Sequence, residues 1–247
     1  MYSLTSFVVI VAAALALPGC IYRGNGVALP AADGSDRVVI HVVGWNGPTN
    51  GDRDLLVALR EAGVTSELRT YDWTNGHRSL MALWHAQHSS KPAKQLAAYL
   101  QELKSDQKRI DLIADSSGCG VVLDALAQLP ADVKVRAVVL SSPAVSSGYD
   151  LRPALASVEK GIYSFNSDRD WIILGIGTRI FGTVDGRHTA GAGKVGFRID
   201  PLDPAYGKLH QISYDAAWKQ TYGHTGQHTH ALLPTFAKAK LAPLLLE

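Results

Sequence analysis

The chain has 247 residues, 47% of them apolar and 19% charged. That make-up can bury a full core and excludes an intrinsically disordered chain. Lys and Arg total 24 against 22 Asp and Glu, a formal charge of +2. So near a balance argues against nucleic acid as the main partner, because phosphate binding normally carries a clustered basic excess.

The amino terminus differs from the rest. Phe7 to Leu17 reads FVVIVAAALAL, eleven apolar residues without a charge. The run is too short to span a bilayer and has the length of a secretory h-region. It leads into Leu17-Pro18-Gly19-Cys20, which resembles the bacterial lipoprotein signal, where a small residue precedes a Cys that becomes the lipidated first residue. The resemblance implies that residues 1–19 are a signal peptide, that Cys20 is lipidated, and that the protein is exported to the bacterial envelope and held on a membrane by that anchor. The alternative is an ordinary signal peptide cleaved nearby. Cys119 is the only other cysteine, so an acylated Cys20 leaves no intrachain disulfide to form. Residues 20–36 lack periodicity and read as a tether.

Residues 37–247 read as one domain of alternating strands and helices. Arg37 to Val43 (RVVIHVV) is a buried strand in pattern. Asp52 to Glu61 places Leu55, Leu56, Leu59 and Ala62 at helical spacing, and Gly63 stops it. Glu67 to Trp73 is a second strand. The stretch Trp73 to Lys91 carries Leu80, Met81, Leu83 and Trp84 among His77, His85 and His88; it either lines a cleft or covers the sheet. Lys94 to Lys104 is a helix, Arg109 to Ala114 a third strand, and Val121 to Leu129 a helix closed by Pro130. Val133 to Leu140 and Gly161 to Asn166 are the fourth and fifth strands. Gly175 to Gly196 is a Gly-rich loop, Lys208 to Tyr214 a last strand, and Leu232 to Leu246 a closing helical segment. Alternation of this kind predicts an α/β fold with a mostly parallel sheet and helices on both faces. Ligands then bind beyond the carboxyl ends of the strands.

The third strand runs straight into Ala114-Asp115-Ser116-Ser117-Gly118 and a helix. So tight a reversal strains its central residue and demands small neighbours two positions away on each side. Ala114 and Gly118 meet that demand around Ser116. Ser117 fails it, flanked by Asp115 and Cys119, and Cys119 fails it, flanked by Ser117 and Val121. Ser116 is therefore the candidate nucleophile of an elbow. The plain alternative is a Ser-rich helix N-cap.

The segment DLIADSSGCGVVLDAL resembles the strand–elbow–helix unit of the α/β-hydrolase family, with Ala114 in place of the commoner first Gly and Asp115 where the family often has His. The resemblance implies an α/β-hydrolase fold and the chain order nucleophile, acid, His. The acid then follows the fifth strand, where Asp168 and Asp170 compete, and Asp170 is favoured by the apolar residues after it. The His lies in Tyr222-Gly223-His224-Thr225-Gly226-Gln227-His228-Thr229-His230. There His228 resembles the family His, and His224 competes. The oxyanion hole is implied to take the N–H of Ser117 and that of Trp45, in the loop after the first strand. His41, inside that strand, reads as a core-edge residue.

These parts imply a serine hydrolase that acts on small-molecule or lipid carboxylic esters through Ser116, Asp170 and His228, by way of an acyl-enzyme. It needs no metal and no organic cofactor. Little length remains for a large cap domain, so a rather open site is expected. One rival is a metal hydrolase built on His224, His228 and His230, whose spacing permits clustering. The other is a non-catalytic envelope lipoprotein that keeps the fold as a binding module.

Overall fold

The computed structural model describes residues 27–76 and 86–246. The signal segment, Cys20, His77, His85, Leu80, Met81, Leu83 and Trp84 lie outside the described residues.

Seven strands form one sheet: β1 (Ala28–Leu29), β2 (Arg37–Val42), β3 (Glu67–Tyr71), β4 (Arg109–Asp115), β5 (Val135–Ser141), β6 (Val158–Asn166) and β7 (Leu209–Ser213). Their spatial order is β1-β3-β2-β4-β5-β6-β7. All neighbours pair in parallel except β1 with β3. β1 falls in the segment expected to be a tether. It caps the edge of β3 through Ala28 and Leu29, and Ala32 N–H reaches Thr65 O at 2.8 Å. Covering an edge satisfies its free backbone groups, and two residues are too few to show a period of two.

Side-chain alternation along each strand sorts the core into two layers. Val38, Ile40 and Val42 of β2, with Ile110, Leu112 and Ala114 of β4, pack beneath α2 (Lys91–Ser105) and α3 (Gly118–Leu126). Val39 and Ile113 point the other way, to α1 (Asn50–Glu61) and the carboxyl-terminal helical segment 234–246. His41, Asp111 and Asp115 alternate onto this second face by the same rule. Leu55, Leu56 and Leu59 of α1 are fully buried, and each contributes roughly 1.5–3 kcal/mol.

The helices start earlier than their apolar spacing suggests, because the starts are set by caps. Thr49 precedes α1, and its N–H and Oγ1–H both donate to Asp52 Oδ2 at 2.6 Å, a first-turn bond that satisfies an orphan donor. α2 carries Pro92 in its first turn, where a missing N–H does no harm. α3 begins at Gly118 rather than Val121. At the amino ends of the strands, Asp111 is fully buried and pairs with Arg136 Nε at 2.8 Å and Arg37 Nη2 at 3.2 Å. Both arginines also donate to Leu245 O, so they tie the last helix to the sheet.

From β2 the chain steps to β3 on one side, while β4 adds on the other. The helices that follow β2 and β4 accordingly lie on opposite faces. The crevice at this switch point is where such sheets bind ligands.

Candidate active site

Ser116 follows β4 with φ 51°, a left-handed conformation that is uncommon for a side-chain-bearing residue and held only by its surroundings. Its N–H donates to Ser141 O at 2.9 Å, and its carbonyl accepts from Cys119 N–H at 3.2 Å and Ala144 N–H at 3.1 Å. The bend is therefore clamped between the end of β5 and the first turn of α3. Ser116 is only 4% exposed, and it lies on the wall of a cleft of about 400 Å³.

The chain's far end supplies an imidazole. His228 Nε2 stands 2.8 Å from Ser116 Oγ, and His228 Nδ1 stands 2.5 Å from Asp170 Oδ2. An ionised carboxylate only accepts, so Nδ1–H donates to Asp170 and Nε2 is left to accept from the serine hydroxyl. Asp170 sits in the loop after β6 and is 3% exposed, with its N–H bonded to Ser167 O at 3.1 Å. Two loops dock to make this contact. Gly226, at φ 84°, lies so near the acid loop that a Cβ there would meet Ser167 Oγ at 2.7 Å. Burial works against the charged form of His228, but the charge and hydrogen bond of Asp170, with the charge of Asp115, outweigh it and leave the imidazole pKa raised.

The competing residues are placed elsewhere. Asp168 is exposed. His224 is buried among Tyr214, Trp218 and Phe236, with ring centroids 5.2, 5.6 and 4.6 Å away. Its Nδ1 accepts from Gly226 N–H at 2.9 Å, and burial pushes its pKa down to about 4, as expected for a neutral packing histidine. His230 stacks edge-on to His224 and takes the Thr225 N–H on Nδ1 at 3.2 Å. Among the described residues, His224, His228 and His230 do not bring ligand atoms together as a metal site would require.

The loop after β2 carries Gly44 and Trp45 past the elbow. Among the described residues, neither Trp45 N–H nor Ser117 N–H donates to another backbone group, and both residues flank Ser116 across the site. The cleft divides at Ser116, and Trp45 borders both parts. The larger part is lined by Asn46, Thr49, Asp52, Asp115, His228 and Leu233, among others. The smaller, about 40 Å³, is apolar and lined by Ala144, Ile173, Leu174 and Phe181. Part of the Gly-rich segment after β6 thus forms short helices, Ile172–Gly177 and Thr178–Phe181, that wall the site.

The residue reading missed a second buried cluster. His41 Nε2 lies 2.6 Å from Asp52 Oδ1 and 3.8 Å from Asp115 Oδ1. Burial opposes the charge on His41, but the bond and charge of Asp52, with the charge of Asp115, hold its pKa up. Burial, then the nearby Asp52 charge, push Asp115 up to about 6, against the pull of His41, His228 and the Gly44 N–H. The signal in the sequence was His41 within one apolar strand and Asp111 and Asp115 within another, at even spacing that puts them on the face shared with Val39 and Ile113.

No family model and no curated protein matches this sequence. Solved structures do. The Pyrococcus furiosus esterase Pf2001 superimposes with a TM-score of 0.53 at 15% identity, over 90% of this chain and 91% of that one. A metagenome-derived lipolytic enzyme of the LipS and LipT study gives 0.53 at 12% identity, over 94% and 99%. Est1E of Butyrivibrio proteoclasticus, with ferulic acid bound, gives 0.52 at 13% identity, over 90% and 96%.

The chain has the α/β-hydrolase fold. Within an α/β-hydrolase the strand that precedes the elbow is central, as β4 is here between β2 and β5. Among the described residues, the excursions from this α/β-hydrolase sheet are loops and short helices, without a large cap domain.

Proposed function

We propose that this protein is a serine hydrolase of carboxylic esters, with Ser116 as nucleophile, His228 as general base and acid, and Asp170 as the residue that orients the imidazole. The observation that carries the reading is the continuous chain Ser116 Oγ, His228 Nε2, His228 Nδ1, Asp170 Oδ2, with spacings of 2.8 and 2.5 Å, reaching the surface of a cleft.

A serine hydroxyl is a weak nucleophile at its free pKa and needs an adjacent base. Ser116 Oγ attacks the ester carbonyl carbon while its proton passes to His228 Nε2. Asp170 keeps Nδ1 protonated and steadies the imidazolium that forms. The carbonyl oxygen becomes an oxyanion and is met by Trp45 N–H and Ser117 N–H. His228 then returns the proton to the leaving alcohol, and an acyl group remains on Ser116. Water, activated by the same imidazole, hydrolyses that acyl-enzyme. These steps use no metal and no organic cofactor. The apolar slot beside Ile173 and Leu174 fits the acyl group, and the larger part, where Asn46, Thr49 and Asp54 stand among apolar side chains, fits the alcohol.

The likeness in fold to esterases and lipolytic enzymes supports the ester as substrate class. The amino-terminal pattern supports export to the bacterial envelope and anchoring through lipid on Cys20. The test is labelling with a fluorophosphonate probe followed by peptide mapping. Capture on Ser116, lost in Ser116→Ala, together with turnover of nitrophenyl esters, is the expected result. Absence of both labelling and turnover leaves a non-catalytic binding module instead.

A further inference from the structure

We propose that Asp115, through His41 and Asp52, is a positioning residue that ties the loop carrying the Trp45 N–H to the nucleophile elbow. The inference rests on the serine-hydrolase reading above and adds residues to it.

The loop 43–49 joins β2 to α1, and it must hold one N–H in place without support from a regular element. Both of its ends are gripped by one buried polar chain. At the far end, Thr49 donates through N–H and Oγ1–H to Asp52 Oδ2, each at 2.6 Å. The other oxygen of Asp52 accepts from His41 Nε2–H at 2.6 Å. His41 is fully buried, and beyond it Asp115 Oδ1 lies 3.8 Å from the same Nε2 with no hydrogen-bond partner of its own. At the near end, Asp115 Oδ2 packs against Gly44, where a Cβ would stand only 2.9 Å away, and the Gly44 N–H favours the carboxylate. Within the loop, Gly47 N–H closes a turn on Gly44 O at 3.1 Å, and Trp73 Nε1–H holds Val43 O at 2.6 Å.

The sheet explains why these groups meet. His41 pairs across the ladder with Ile113, two residues before Asp115. The period of two puts all three on the face that α1 covers, and Asp52 comes down from α1 onto it. Asp115 is also the residue directly before Ser116, so its carboxylate links the elbow to the loop at Gly44. An isolated buried carboxylate is strongly disfavoured, whereas Asp115 has the His41 imidazole 3.8 Å away and a glycine N–H in front. The function assigned to the cluster is to fix the distance between two oxyanion donors that come from different strands. A misplacement of about 1 Å at such a site lowers the rate by roughly 100-fold.

The test is a set of variants at this link, with Ser116, His228 and Asp170 left intact. Asp115→Ala is expected to lower kcat for a nitrophenyl ester by about 30- to 100-fold while KM moves less than about threefold, since the lost contact matters where the oxyanion develops. The rate of fluorophosphonate labelling falls with kcat, because the phosphonyl oxygen occupies the same hole. Asp115→Asn, which keeps an acceptor for Gly44, retains kcat within about tenfold of the parent. Gly44→Ala lowers kcat in the parent by about tenfold or more but has a much smaller effect in the Asp115→Ala background, as expected of two residues that act through one contact. If Asp115→Ala unfolds, Thr49→Val, which removes only the Oγ1 bond at the far end of the chain, still lowers kcat by about two- to fivefold with KM held. Folded Asp115→Ala or Thr49→Val protein with parental kcat and labelling rate overturns the assignment, and so does additivity of Gly44→Ala with Asp115→Ala. A parent chain with neither labelling nor turnover overturns the serine-hydrolase reading itself, so the two failures are distinguishable.

Discussion

Gly118 lies so close to the end of β2 that a Cβ on it would stand 2.5 Å from Val43 O and 2.7 Å from Val42 O. The contact presses the first turn of α3 onto the strand that leads into the Trp45 loop. It is also the physical content of the demand for a small residue two places after the nucleophile. Both obstacles are backbone atoms, which cannot rotate away. Gly118→Ala is therefore expected to destabilise the fold by about 1–3 kcal/mol and to lower turnover of the protein that still folds. Urea unfolding with parallel turnover measurements reads both effects; unchanged values in both would mean that the elbow is not locked to β2.

The two carboxylates after β6 are distinguished by burial and by partner. Asp170 is buried and bonded to His228, whereas Asp168 is exposed. Asp170→Asn is expected to lower kcat by about 10⁴-fold, the loss that follows when the imidazole takes the wrong tautomer. Asp168→Asn should stay within about threefold of the parent. Steady-state kinetics on one nitrophenyl ester decide it, and the reverse ranking would move the acid to Asp168.

The two histidines should fail in different ways. His228→Ala is expected to abolish turnover in a protein of near-parental stability. His224→Ala removes a ring packed among Tyr214, Trp218 and Phe236 and should lower stability by about 1–3 kcal/mol while the folded fraction keeps its activity. Melting temperature and active-site-titrated kcat separate the two cases.

The pH dependence follows from the sign of one shift. His228 has its pKa raised above the ordinary imidazole value, because the charge and bond of Asp170, with the charge of Asp115, outweigh burial. A base must be neutral to accept a proton, so activity requires pH above that raised value and falls as pH drops through it. The acid limb of kcat/KM is expected to have its midpoint above about 6.5. In Asp170→Asn the residual activity should show the midpoint displaced to lower pH. A parental midpoint below 6 would contradict the coupling to Asp170.

The apolar slot beside the serine is small, about 40 Å³ against about 400 Å³ for the larger part of the cleft. Short acyl groups are expected to be preferred, with butyrate esters turned over at least about tenfold faster than octanoate esters. Ile173→Ala, at the wall of the slot, should narrow that ratio. Equal rates on both chain lengths in the parent would place the acyl group elsewhere.

The sheet was legible because its strands are continuous apolar runs and its helices carry period-3.6 leucines, as in β2, β4 and α1. Helix starts and strand ends were less so, since Thr49, Pro92 and Gly118 act through capping and close packing rather than through hydrophobic spacing. β1 was invisible for want of length. The bend at Ser116 could be read because strand, small residues and helix lie within a few positions of one another. The sequence by itself determined the α/β alternation, the place of the elbow and the short lists Asp168 or Asp170 and His224 or His228, all of which are local properties of the chain. Only the tertiary structure decided which members of those lists meet, and that His41, Asp52 and Asp115 form one buried chain, because side chains separated by 11 to 112 positions are brought together by sheet register and loop docking, which no local pattern encodes.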